Sequence, residues 1–305
     1  MTLSVRPLSD RLGAEILGLD AGAPPDAEAR AGVLAALHRH GVVALRGQDL
    51  SPQQFVAFCR GLGELEPFFI GAYSLPECPE IYVLSNVRRD GTPIGRDGAG
   101  THWHSDHTFH RAPASVTLLY AAAVPRQGGD TLFVDMARAY DELPEPTRAR
   151  LAGLRAIHHY RKQEYLYTAE RDLPPEQRAR IAALQAQRRA EEAAAAPSPS
   201  AKRSDSLPDQ LHPLVRTHPV TGRKALYLNE AMTVGIEGMP EAEAQALLAA
   251  LCAGATQPDR VFRYRWRQGD LVAWDNAGVM HAATYTDPAE PRTLWRLTLR
   301  GTEPV

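Results

Sequence analysis

The sequence predicts a mostly β chain of α+β composition: one domain over residues 1–305, with a sandwich or barrel core and helical insertions. Three observations carry this prediction. Eight short β-type runs follow one another between Ile81 and Leu299; Gly, Pro, Asp and Asn punctuate the gaps; helical periodicity is confined to a few separate segments. Many short strands divided by turn residues belong to sandwiches and barrels, and 305 residues suit one elaborated domain of that kind.

The chain opens on what reads as a small α/β cap. Ala27 to His40 has Val33, Leu34 and Leu37 at helical spacing, Gly41 breaks the pattern, and Val42 to Arg46 follows as a strand. Ser51-Pro52 marks a helix start, a capping side chain followed by proline at the first helical position, and that helix should end near Gly61 or Gly63. The β runs come next: Ile81–Ser85, Val116–Val124, Thr131–Val134, Leu214–His218, Ala225–Asn229, Val261–Trp266, Leu271–Trp274 and Leu294–Leu299. Two helices interrupt them. Pro174 to Ala196 is rich in Ala, Arg, Glu and Gln and runs into the linker-like Pro197 to Ser204, so residues 174–210 form an excursion expected to be mobile. Glu241 to Ala253 places Leu247, Leu248 and Leu251 on one face.

Composition narrows the function. The 34 Lys and Arg against 36 Asp and Glu give a net charge of −2, without the basic surplus of a duplex-binding protein, so no nucleic-acid partner is expected. No run approaches eighteen uninterrupted apolar residues and the first residues carry no apolar signal region, which predicts a cytoplasmic chain without a membrane partner. Cys59, Cys78 and Cys252 include no Cys-x-x-Cys, which argues against a disulfide framework or a thiolate zinc cluster and for a reducing compartment. Self-association into a homo-oligomer stays open.

Histidine is the lopsided residue. Four of eleven, His102, His104, His107 and His110, fall within nine positions, and imidazole is the commonest metal ligand. On an extended chain His104 and Asp106 point to one face, supplying two members of a two-histidine, one-carboxylate set, the arrangement of non-haem iron oxygenases. His281 stands just after a strand and turn, and Arg292 and Arg296 follow four apart, so an extended strand aims both the same way. Two arginines on one inward face are costly unless each meets an anion.

These pieces together resemble the iron(II)- and 2-oxoglutarate-dependent dioxygenases of the taurine dioxygenase and dichlorophenoxyacetate dioxygenase family. The matching stretches are Trp103-His104-Ser105-Asp106, Gly128-Gly129-Asp130-Thr131, Trp274-Asp275-Asn276 leading to His281, and Arg292 through Arg296, in family order over nearly the whole chain. The resemblance implies a double-stranded β-helix (jelly roll, cupin-like) core, an iron(II) site at His104, Asp106 and His281, and 2-oxoglutarate and O2 as cosubstrates. It further implies that Arg292 and Thr131 hold the distal carboxylate of 2-oxoglutarate and that Arg296 holds an anionic group of the primary substrate. The arginine fork suits a carboxylate because it offers two parallel charge-assisted hydrogen bonds. The implied reaction hydroxylates a substrate C–H bond and releases succinate and carbon dioxide, with no protein acid or base beyond the metal ligands.

Other residues are weighed against this set. His102 shares the face of His104 if the strand is regular there, whereas His107 points oppositely, and neither they nor His110 are assigned as ligands. Asp275 reads as a turn residue rather than a ligand. His158, His159, His212 and His218 lack a carboxylate at convergent spacing and read as structural. Trp103, Phe68 and Phe109 are candidates for a substrate-binding pocket wall, with core packing the alternative for Trp103 and Phe109.

The substrate is expected to be a small anion, a carboxylate or sulfonate with a hydrophobic body, aryloxyalkanoate-like in preference to taurine. Taurine dioxygenase has a histidine shortly after its Gly-Glu-Leu motif and an asparagine four residues before the first ligand. This sequence has Gly63-Glu64-Leu65-Glu66-Pro67-Phe68-Phe69-Ile70 without a histidine, and Gly100. Two rival readings use the same triad. A non-catalytic jelly-roll protein binding a metal or small acid has no need of the Arg292 and Thr131 grip, and a zinc hydrolase wants a general base that no neighbouring Glu supplies.

Overall fold

The computed structural model describes residues 3–66, 71–160, 166–170, 173–194 and 207–305. In chain order the strands are β1 (Ser4–Pro7), β2 (Ala14–Leu17), β3 (Val42–Leu45), β4 (Ser74–Leu75), β5 (Cys78–Ser85), β6 (Arg88–Arg89), β7 (Thr92–Pro93), β8 (Val116–Ala123) and β9 (Thr131–Asp135). There follow β10 (Arg155–His158), β11 (Gln210–Pro213), β12 (Val215–Thr217), β13 (Lys224–Leu226), β14 (Thr233–Ile236), β15 (Phe262–Tyr264), β16 (Leu271–Asp275), β17 (Val279–Ala283) and β18 (Thr293–Leu299). The helices are α1 (Ala27–His40), α2 (Pro52–Leu62), α3 (Met136–Asp141), α4 (Glu145–Leu151), α5 (Pro175–Ala194) and α6 (Glu241–Ala255). The architecture is mixed α+β.

Local chemistry sets the helix ends. The Asp26 carboxylate accepts from Ala29 N to open α1, and Gly41 closes it at φ +70, where an added Cβ would stand 2.6 Å from Leu12. Ser51 and Gln54 form a reciprocal capping box ahead of Pro52 at the start of α2. Helix α5 occupies the predicted excursion, and the linker-like Pro197–Ser204 lies outside the described residues.

The main sheet has eight strands in the order β1-β2-β3-β16-β8-β18-β5-β4, and a second sheet has the order β15-β9-β17. Strand β3 pairs with β16 through Val42↔Trp274 to Leu45↔Leu271, so the N-terminal segment is built into the main sheet rather than standing apart as a cap. Its four apolar residues are all buried, and only a sheet interior covers both faces of such a strand.

Alternation of side chains divides the interior into three layers. From β8, β16 and β18, Val116, Leu118, Tyr120, Leu271, Ala273, Leu297 and Leu299 pack with α1 and α2 on the outer face. Their neighbours Leu119, Ala121, Val272, Trp274 and Leu294 point inward and meet Phe133 of β9, Tyr264 of β15 and Val279 of β17. Leu132, Val134, Met280 and Ala282 leave the second sheet on its far side and pack with α3 and α6. The two sheets therefore share an inner layer, and polar side chains at inward positions of β17 and β18 must face it.

Candidate active site

His281 and Arg296 occupy such inward positions. His281 follows the inward Val279 by two residues on β17, and Arg296 follows the inward Leu294 by two on β18. His104 is joined to His281 by an isolated antiparallel bridge in which His104 N donates to His281 O at 3.0 Å and His281 N to His104 O at 2.8 Å. The two imidazoles consequently lie side by side, 4.1 Å between ring centres.

Asp106 reaches the same point by a turn rather than by strand alternation, because residues beyond His104 leave the extended conformation. Its Oδ1 stands 3.6 Å from His104 Nε2 and its Oδ2 3.7 Å from His281 Nε2. All three side chains are buried, and their ligand atoms lie within 4.8 Å of one another.

A surrounding network orients this group. His104 Nδ1 donates to the His102 carbonyl at 2.8 Å, which leaves the Nε2 lone pair facing Asp106. Thr117 donates to Asp106 Oδ2 at 2.6 Å, Asn276 Nδ2 donates to Thr117 at 2.9 Å, and Asn276 Oδ1 accepts from Asp106 N at 3.2 Å. Burial alone would raise the Asp106 carboxyl, but the Arg296 guanidinium at 2.8 Å and the three nearby imidazoles hold it below the usual carboxylate range. Burial lowers the pKa values of His104 and His281, keeping both imidazoles neutral, as ligands must be. Two neutral imidazoles with free lone pairs and one ionised, braced carboxylate fit a divalent transition metal of the non-haem iron type.

The group opens on a cavity of about 450 Å³ walled by Leu84, Ala99, Gly100, Leu119, Trp274 and Ala283, with Thr131, Arg292 and Arg296 as its other polar residues. Arg292 precedes β18, and its Nε donates to Gly129 O at 3.1 Å. Burial pulls its pKa down to about 10. Thr131 Oγ1 accepts from Trp266 Nε1 at 3.0 Å, which aims the hydroxyl proton elsewhere. Gly129 sits at φ +67 with an added Cβ meeting Arg292 Cδ and Nε at 3.0 Å, so glycine there lets the guanidinium lie against the backbone. A neighbouring cavity of about 370 Å³ shares Arg292 and is bounded by Arg96, Asp97 and Tyr167.

Several expected residues lie elsewhere. Trp103 packs in the layer with Leu132, Val134 and Met280, on the far side of the second sheet, and its N donates to Glu230. Phe109 stacks edge-on against Tyr160 and His110 and is not among the cavity's lining residues; among the described residues Trp274, 4.5 Å from the His281 ring, is the aromatic in its wall. Phe68 and Phe69 lie outside the described residues. His102 is buried with its ring 4.9 Å from that of His104, and among the described residues neither nitrogen has a hydrogen-bond partner.

Asp275 does order the turn, accepting from Ala277 N at 2.9 Å, but it also joins His38 and His218, so His218 has a carboxylate partner that is remote in sequence. His159 pairs with Asp209 in the same way. His107, expected to point away, lies with Nε2 3.5 Å from Arg296 Nη2, because its backbone takes φ +58 in the turn after Asp106. Thr117 was legible only as one hydroxyl in an otherwise apolar buried strand.

A buried set of two imidazoles and one carboxylate, opening on a cavity with two arginines in its wall, has the make-up of a metal site beside an anion-binding pocket. The chain belongs to the family described as taurine catabolism dioxygenase TauD, TfdA family, which it matches over residues 4–298. It is 37% identical over 267 residues to an alpha-ketoglutarate-dependent 2,4-dichlorophenoxyacetate dioxygenase of Cupriavidus pinatubonensis, covering 84% of this chain and 83% of the relative. An alpha-ketoglutarate-dependent sulfate ester dioxygenase of Pseudomonas putida is 33% identical over 313 residues, covering 100% and 92%. Among solved structures, AAD-2 in complex with Mn(II) and N-oxalylglycine superposes with a TM-score of 0.75 at 29% identity, covering 100% of this chain and 99% of that one. The protein is thus a dioxygenase that depends on 2-oxoglutarate (alpha-ketoglutarate) and O2.

Proposed function

We propose that His104, Asp106 and His281 hold iron(II), that Arg292 and Thr131 hold the distal carboxylate of 2-oxoglutarate, and that Arg296 holds the anionic group of the primary substrate. The observation that carries this reading is the presence of both guanidiniums and both imidazoles in the wall of one cavity. The metal, with 2-oxoglutarate and O2, supplies the oxidising chemistry for a substrate C–H bond. The chain's own contribution is positioning. Arg292 offers a fork to one carboxylate, and Arg296, four residues on along the same inward face, fixes a second anion so that one carbon faces the metal. Apolar walls at Leu84, Leu119 and Trp274 exclude water from the space between.

The substrate is a small carboxylate or sulfonate with a hydrophobic body, aryloxyalkanoate-like rather than taurine. Supporting this are the apolar wall beside Arg296 and the relatives named for 2,4-dichlorophenoxyacetate and sulfate esters. The same reading takes residues 1–305 as one domain with the 174–210 excursion as an insertion, and takes the two sheets sharing an inner layer as a double-stranded β-helix. A cytoplasmic setting is supported by three cysteines that are buried and free. Anaerobic addition of iron(II) and 2-oxoglutarate should produce a visible charge-transfer band, and O2 should then release succinate. A protein loaded with metal that shows neither sinks the reading.

A further inference from the structure

Arg296 is held from two sides. Its Nη2 lies 2.8 Å from Asp106 Oδ1 and 3.5 Å from His107 Nε2. A guanidinium only donates, so the Nε2 facing it carries a lone pair and the His107 proton sits on Nδ1. That nitrogen stands 3.4 Å from Glu66 Oε2, and an ionised carboxylate only accepts, so both contacts demand the same tautomer. His107 is buried, and the chain from Arg296 through His107 to Glu66 runs from the cavity wall to a carboxylate that keeps 17% exposure.

We propose that His107 and Glu66 are positioning residues for the primary substrate. His107 Nε2 accepts from Arg296, and Glu66 keeps the His107 proton on Nδ1, so that this lone pair is the one presented. The inference rests on the reading that Arg296 holds the substrate's anionic group. Asp106 also belongs to the metal site, so its hold on Arg296 is shared; the imidazole supplies a second hold from outside that set. A guanidinium fixed at two points determines where a bound anion, and with it the reacting carbon, comes to rest, and small misplacements of that carbon cost rate.

The backbone is shaped for this contact. An extended chain would send His107 away from the face of Asp106; instead His107 takes φ +58, a conformation that costs a non-glycine residue energy and persists where its surroundings enforce it. His110 N closes the turn by donating to His107 O at 2.9 Å. Glu66 is fixed to the strand that carries Arg296. Its N donates to Thr298 O at 2.8 Å and its O accepts from Thr298 Oγ1 at 3.0 Å, and Thr298 lies two residues beyond Arg296 on β18, on the same face. Leu65 bridges Leu299 and Arg300 N donates to Glu64 O, which holds the whole stretch in register. Burial alone would raise the Glu66 carboxyl, but contacts from His107 and His110 bring it down to about 2, so it stays an acceptor.

The test separates the two ring nitrogens. By length, an Asn amide reaches the place of Nδ1 and a Gln amide that of Nε2. His107→Asn tolerates the positive φ and keeps a donor for Glu66 but loses the acceptor for Arg296; His107→Gln keeps the acceptor and loses the donor. The probe is the member of a set of aryloxyacetates, arylsulfonates and alkyl sulfates that most increases succinate release by the iron-loaded wild type. For His107→Asn, KM for the probe should rise about 10-fold or more beyond any rise in KM for 2-oxoglutarate, as expected for one lost bond to a charged group, and for His107→Gln it should stay within about threefold. Glu66→Ala should raise KM for the probe about threefold or more, and Glu66→Gln, whose amide oxygen still accepts, should restore most of it. Nitrogen NMR of the wild-type histidines should show the His107 proton on Nδ1. An effect in His107→Asn no larger than in His107→Gln, as expected if the ring serves only the turn, overturns the proposal; so does a proton on Nε2 or a wild-type KM in Glu66→Ala. If Arg296→Ala leaves KM for the probe unchanged, or no acid in the set raises succinate release, the reading of Arg296 itself fails and the inference with it.

Discussion

Replacing Arg292 by Met should stabilise the empty protein while disabling capture of 2-oxoglutarate. Burial lowers the Arg292 pKa from 12.5 to about 10. At 1.36 kcal/mol per pH unit this corresponds to about 3 kcal/mol by which the fold disfavours the buried charge. The substitution also removes the bond from Nε to Gly129 O, worth about 1 kcal/mol. A net gain of about 1–2 kcal/mol remains, or about 2–8 °C in Tm at 2–4 °C per kcal/mol. Capture moves the other way. Two charge-assisted hydrogen bonds at about 1.5–3 kcal/mol each amount to about 3–6 kcal/mol, so KM for 2-oxoglutarate should rise about 10²- to 10⁴-fold. Thermal melting without cosubstrate and succinate release against 2-oxoglutarate concentration measure the two effects. A KM within threefold of wild type refutes the assignment, and a lowered Tm shows that Arg292 serves the fold through Gly129.

Arg296→Ala should raise KM for the primary substrate about 100-fold or more, yet leave substrate-independent succinate release in place; equal loss of both assigns Arg296 to the metal or the fold. Thr117→Val removes the 2.6 Å bond to Asp106 at nearly constant volume, and metal affinity measured by titration should fall about 10- to 100-fold. Unchanged affinity would show that Arg296 on the carboxylate and Asn276 on the Asp106 backbone suffice to position it. Asp275 gives a pH prediction. Burial alone would raise its pKa, but hydrogen bonds from His218 and His38 hold it below the usual range. A depressed folded-state pKa contributes stability that is present above about pH 4 and lost as pH falls below it. Asp275→Asn should therefore be less stable at pH 7 by denaturant unfolding, with a shallower loss on acidification; parallel curves for the two proteins would rule out the contribution.

Much of this was readable from residues because the relevant signals are local. Helix α1 begins and ends at Asp26 and Gly41, as its cap chemistry dictates, and α2 begins at the Ser51-Pro52 pair. Strands buried on both faces, such as β8 and β16, stood out as apolar runs. Strands β10, β11 and β14 did not, because they pair only with one another over three or four residues and carry mixed polarity. At the site, His104 and Asp106 stood out by type and spacing and Arg292 and Arg296 by their shared face, while joining His281 to the first two rested on the family resemblance. What spacing could not supply was the route: Asp106 arrives by a turn, and a positive φ swings His107 toward Arg296. The partners of His218 and the brace on Asp106 were illegible because they join positions 57 and 170 residues apart. Trp103 was placed at the pocket for a simpler reason: it immediately precedes His104 in sequence, but its side chain leaves on the opposite side of the second sheet.

The reciprocal bridge between His104 and His281 has a consequence for how such a chain can vary. It ties off everything between those positions, including α3 to α6 and the excursion bearing α5, as one closed loop whose two ends are hydrogen-bonded to each other. Closure entropy grows only logarithmically, so doubling a loop costs about 0.6 kcal/mol. The excursion bearing α5 lies inside this loop and can therefore lengthen or shorten at its ends with little energetic penalty and without moving either imidazole.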